Sequence, residues 1–200
     1  MGGVKRRTTF DTRKLVFTAV MTGIIVNMQV IAVMTRAFLP LFSLNLVLIP
    51  IVIGAACGGV YVGAWLGFVS GLAVLISGDA SAFLAVNEIG TVVTVLLKGA
   101  ASGAAAAGVY KLLERVDKYL AVIGAAIVCP IVNTGIFVLG CYTFFLDTIR
   151  AWGEGAGMEN AFVFILLGMI GINFIIELML NIILSPVAVT LLNIRQKQIK

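Results

Sequence analysis

Gly59, Gly63, Gly67 and Gly71 recur every fourth residue, and on an α-helix that spacing leaves one slowly drifting stripe without side chains. In water each such glycine costs about 1 kcal/mol of helix stability relative to alanine, so four in succession make a poor soluble helix. In a bilayer the balance reverses. Helices there associate through close packing, and a bare stripe lets two backbones approach. The ladder therefore reads as the packing spine of a polytopic membrane protein, with Gly99 and Gly103 starting a second ladder in a later apolar run. Composition agrees: 61% of the 200 residues are hydrophobic and 12% charged, which leaves too little polar surface for a soluble domain.

Apolar runs delimit six helices. Residues 1–14 form a basic head, and 15–34 are long enough to cross a hydrocarbon core of about 30 Å; this run reads as a retained span and not as a cleaved leader. Residues 36–45, with Pro40, read as a surface loop. The stretch 46–76 is too long for one ordinary span, and the Gly58-Gly59 pair is the natural place to break it into a short second helix and a third that carries the ladder. A loop over 77–86 precedes a fourth helix over 87–110. A charged connection over 111–118 leads to a fifth run over 119–145, where Pro130 is the candidate bend, and 146–160 reads as the longest external loop. The sixth run, 161–184, ends near Ser185-Pro186, and a basic tail over 194–200 closes the chain.

The expectation is an all-α integral membrane protein with six transmembrane helices in one domain over 15–193. Six spans put the head, the tail and the connection over 111–118 on one side, and together these hold eleven of the fourteen Lys and Arg residues. The positive-inside rule then makes both termini cytoplasmic. The formal net charge of +5 is in this reading a topology signal and not a nucleic-acid footprint.

Charge within apolar runs is the second constraint. A Lys or Glu at a helix centre costs about 2.5–3.5 kcal/mol on insertion scales, so such residues face a cavity or a partner. Lys98 and Glu177 stand in that position. Thr91, Thr94 and Lys98 share one face of the fourth helix with Asn87 above them, while Asn173, Glu177 and Asn181 step by four along the sixth. Asn133 and Thr134 add a polar spot to the fifth. These stripes are read two ways: as a buried Lys98–Glu177 ion pair that holds the helices in register, or as the floor of a ligand site. Asn27 and Gln29 in the first helix read as structural. Tyr142, Phe144, Phe145 and Trp152 read either as an interfacial belt or as a cap over a flat solute.

With no histidine and three scattered cysteines, Cys57, Cys129 and Cys141, the sequence offers no metal cluster and no disulfide framework. Acid–base chemistry would rest on Lys98 and Glu177 alone, so no catalytic residue and no cofactor are expected. No phosphate-binding Gly-Lys-Ser/Thr loop is present, so any ATP hydrolysis belongs to partners.

The run LIPIVIGAACGGVYVGAWLGFVSGL, then LLKGAASG, then GINFIIEL, in that order along the chain, resembles the membrane-embedded substrate-binding subunits, or S components, of energy-coupling factor (ECF) transporters. The broad subgroup of riboflavin, folate and pantothenate binders is the most similar. The resemblance implies capture of a water-soluble vitamin or related metabolite outside a bacterial cytoplasmic membrane, in a pocket closed by the first, third and fifth loops. Uptake would be driven by a membrane coupling (T) component and two cytoplasmic ATPases. Carried onto this chain, Arg36, Asn87, Thr91, Thr94, Lys98, Asn133, Trp152, Asn173 and Glu177 are the expected substrate-binding residues, with Lys98 and Arg36 suited to an anionic group. The family's docking motif of two alanines four apart is matched by Ala19 and Gly23, which keeps a smooth surface. The competing expectation is a structural membrane subunit, similar to a cell-shape protein, with no small-molecule ligand.

Overall fold

The computed structural model describes residues 12–38, 47–158 and 160–190, with the side chains at 35–38, 172 and 173 outside that description. The helices are α1 (Thr12–Phe38), α2 (Leu48–Gly58), α3 (Val60–Ile76), α4 (Ser81–Leu84), α5 (Glu88–Leu113), α6 (Lys118–Phe144) and α7 (Leu146–Gly155). A turn of helix, α8 (Ala161–Val163), then runs into a π-helical segment, Phe164–Ile170, and α9 (Gly171–Ile183). No strand occurs among the described residues.

Three of these helices are long and apolar enough to cross a membrane, namely α1, α5 and α6, and a fourth span results if the bent pair 161–170 and 174–190 is counted as one. The apolar helices α2 and α3 have 11 and 17 residues. They separate at Gly59, whose φ of +82° is open to glycine and strained for other residues. Gly59 is thus the joint between two helices and stands outside the packed ladder.

Below that joint the ladder closes. A Cβ placed on Gly63 would meet the carbonyl of Gly103, one on Gly67 the carbonyl of Gly99, and one on Gly71 the carbonyl of Val95. The contacts are reciprocal, since a Cβ on Gly99 or Gly103 would meet the carbonyl of Gly67 or Gly63. Helices α3 and α5 therefore lie antiparallel, backbone on backbone, and α6 packs on the far side of α5. The main core gathers α2, α3, α5 and α6 around Ile51, Leu66, Ala106, Val122 and Cys129. Of the described α1 side chains only Ile25 and Gln29 are buried, one turn apart, and Leu15, Val20, Ile24, Ile31 and Met34 face outward.

A smaller core forms where α6 ends. Cys141, Phe145, Ile149 and Ile165 pack together with Phe83, Phe137 and Trp152 around them. This core corrects one expectation: 146–155 is helical and not a loop, because Ile149 and Gly153 turn inward while Asp147, Arg150 and Glu154 stay outside. Other boundaries shift less. The connection after α5 shrinks to 114–117, with Asp117 Oδ1 accepting from the Leu120 N–H at 2.9 Å as the cap of α6. The loop after α3 contains the short α4. Pro130 is buried inside an α6 that continues through it. The sixth run is not one straight helix: it bends by 46° where the π-helical segment meets α9, at a glycine, Gly171, with φ of +34°. The backbone at Arg36 belongs to α1, while its side chain, the rest of the expected 36–45 loop from residue 39, the head through residue 11 and the tail lie outside the described residues.

Candidate substrate-binding site

Asn87 starts α5 as its cap. Its Oδ1 accepts from the Gly90 N–H at 2.9 Å, which satisfies one of the donors that a helix start leaves open. Once α5 is fixed there, Thr91, Thr94 and Lys98 follow on one face, adjacent to the face that carries the glycine seam. Gly140 of α6 lies directly against Thr94, where a Cβ would collide with the threonine side chain. The approach of α6 to this half of α5 is thus set by a missing side chain.

Beside that contact lies a cavity of about 330 Å³, whose lining includes Asp79, Phe83, Thr91, Thr94, Lys98 and Phe137, together with Cys141, Phe145 and Met169. The Lys98 side-chain nitrogen sits 5.2 Å from the centroid of the Phe137 ring, within the range of a cation–π contact. Glu177 of α9 and Asp79 are the carboxylates in electrostatic reach of Lys98. Phe83 is the hub of the aromatic wall: its ring meets Phe137, Phe145 and Trp152 edge-on, with centroids at 5.7, 4.9 and 5.6 Å. The hydroxyl of Thr91 donates to the Asn87 carbonyl at 2.7 Å. That of Thr94, a residue only 5% exposed, is buried with no hydrogen-bond partner among the described residues. Buried hydroxyls are nearly always paired, so an orphan on a cavity wall marks a place where a bound molecule can supply the partner.

The sequence-derived residues divide accordingly. Thr91, Thr94 and Lys98 line the cavity directly, Trp152 packs edge-on against Phe83, and Glu177 lies within electrostatic reach of Lys98. Asn87 is a helix cap, and Asn133, partly buried on α6, is not among the cavity-lining residues. The side chains of Arg36 and Asn173 lie outside the described residues. Phe83, Phe137 and Met169 were not singled out in the sequence, where nothing distinguishes them from other apolar residues; only the fold converges them. Ala19 lines a separate apolar groove between α1 and α3 together with Lys14, Thr18, Thr22, Tyr61 and Trp65. Gly23, one turn on, leaves open space where a side chain would be.

A multi-pass membrane bundle that holds a mixed aromatic and polar cavity fits a solute-binding subunit. The comparison with known families agrees. The family described as the substrate-specific component of ECF transporters matches residues 13–189, and the chain belongs to that family. It is therefore the substrate-binding subunit of a transporter and not an enzyme, in a class that works with a small-molecule substrate and with T and ATPase partners. No match was found among curated proteins or among solved structures.

Proposed function

We propose that the cavity between α5, α6 and the α4 region captures a water-soluble vitamin or a related small metabolite, for ATP-driven uptake powered by a T component and two cytoplasmic ATPases. The observation that carries this reading is a wall that sets Lys98, and Thr94 with its unpartnered buried hydroxyl, among the rings of Phe83, Phe137 and Phe145. A charged donor and a free hydroxyl suit a solute with an anionic or strongly polar end, and the rings of Phe83 and Phe137 suit an apolar or planar remainder. Pantothenate and folate, which carry carboxylates, are preferred to riboflavin on that ground. Glu177, Asn133, Asn173 and Arg36 are the further candidates for holding its polar groups, and Trp152 for closing over it.

In this reading α2, α3 and the bent pair complete six spans in a bacterial cytoplasmic membrane, with both termini cytoplasmic and the whole of 15–193 as one domain. The groove beside Ala19 and Gly23 is then the surface offered to the T component. The experiment is native mass spectrometry of the gently purified protein, followed by thermal-shift titration with a panel of water-soluble vitamins. A solute that binds only the folded state stabilises it by about 2.7 kcal/mol at a hundredfold excess over Kd. A co-purified mass or one strong shift is expected; a flat response across the panel refutes the vitamin reading.

A further inference from the structure

Gln29 has no role in the site described above, yet it is one of the two described side chains by which α1 is buried in the bundle, at 3% exposure. Its amide Nε2 donates to the Asp79 carboxylate and, at 3.3 Å, to the hydroxyl of Ser77. Ser77 in turn donates to the Val74 carbonyl at 3.0 Å. Both acceptors of Gln29 sit in the turn between α3 and α4, and that turn leads straight into the cavity wall, since Asp79, Ala80 and Phe83 all line it. A hydrogen bond between an amide and a carboxylate is strong where water is scarce, and it is directional. An apolar side chain of the same size would bury equally well but would hold nothing in place.

We propose that Gln29 is a positioning residue for the solute cavity: by gripping Asp79 and Ser77 it fixes the turn that presents Phe83, and through Phe83 the aromatic wall, to whatever the cavity binds. The inference rests on the cavity being the solute site. It also gives α1 a part in binding although none of its described side chains lines the cavity. The helix that carries the Ala19 groove and the wall that faces the solute share one polar connection.

The test reads the wall itself and needs no solute. The chain has two tryptophans, so a Trp65→Phe protein in phosphatidylcholine–phosphatidylglycerol nanodiscs reports from Trp152, which packs edge-on against Phe83. Acrylamide quenching is compared in Gln29→Leu, in Gln29→Glu/Asp79→Asn, and in Asn27→Leu, a control on an exposed residue of the same helix. Losing a hydrogen bond to a charged acceptor shifts a local open–closed balance about tenfold, so Gln29→Leu is expected to raise the Trp152 quenching constant about twofold or more. The double variant, which puts the amide on the turn and the carboxylate on α1, is expected to restore it, and Asn27→Leu to leave it unchanged. Parental quenching in Gln29→Leu, or a double variant that stays as quenchable as Gln29→Leu, overturns the proposal. Such a result would leave the solute-binding reading intact, because that reading stands or falls on the vitamin titration.

Discussion

Helix α5 carries two neighbouring faces that solve opposite problems. On one, Gly99 and Gly103 meet Gly67 and Gly63 of α3 backbone on backbone. On the other, Thr91, Thr94 and Lys98 border a cavity of about 330 Å³. The seam is closed, because the glycines of each helix occupy the space that a side chain on the other would need. The cavity is not, and Thr94 there holds a buried hydroxyl without a partner among the described residues. In a bilayer, close approach of backbones is what holds helices together, so the seam can bear the cost of the opening beside it. The comparison teaches that small residues here mark where the fold closes, and polar residues beside rings mark where it leaves a cavity.

The sharpest way to break this contrast is at the seam. Gly67→Ala would drive a methyl into the Gly99 carbonyl, and because the obstacle is backbone it cannot rotate away. The expected loss is about 3 kcal/mol, the upper end for overpacking, read as a lowered Tm of the detergent-solubilised protein; an unchanged Tm would mean that the seam is not under compression. Next comes Lys98→Ala on the cavity face. It should weaken solute affinity about tenfold or more, as expected for losing a hydrogen bond to a charged group, while the Tm without solute stays near that of the parent. Equal affinity in a folded variant would remove Lys98 from the site. The smallest effect belongs to a glycine of α5 that belongs to neither face. A Cβ on Gly108 meets nothing within 4 Å, so Gly108→Ala should raise stability by about 0.5 kcal/mol through helix propensity alone. If it destabilised as Gly67→Ala does, the distinction between seam and solvent- or lipid-facing glycines would collapse.

These same faces show what could be read in advance. The four-residue glycine spacing identified α3 and α5, the Gly58-Gly59 pair located the joint between α2 and α3, and Asn87 fell at the start of α5, because each is a local rule of backbone geometry. Thr91, Thr94 and Lys98 were visible as a polar stripe for the same reason. The helical nature of α7 was not legible, since its inward residues, Ile149 and Gly153, acquire meaning only against Phe145 and Ile165 from other segments. The bend at Gly171 was likewise hidden within an unbroken apolar run. Phe83, Phe137 and Met169 look like any lipid-facing residues until α4, α6 and the π-helical segment bring them to one place. Gln29 was read as structural, and its connection to Asp79 spans a distance in sequence that no local pattern encodes.

The seam has one more consequence, which concerns order and not contact. Closing most helix interfaces freezes side-chain rotamers, and that lost freedom offsets part of the packing gain. Glycine has no rotamers to lose, and in a membrane its backbone is already ordered when the helix inserts. The α3–α5 interface therefore forms at little cost in side-chain entropy, which makes it a natural first step in assembling the bundle, with the residues around the cavity left to settle against a pair of helices already in register.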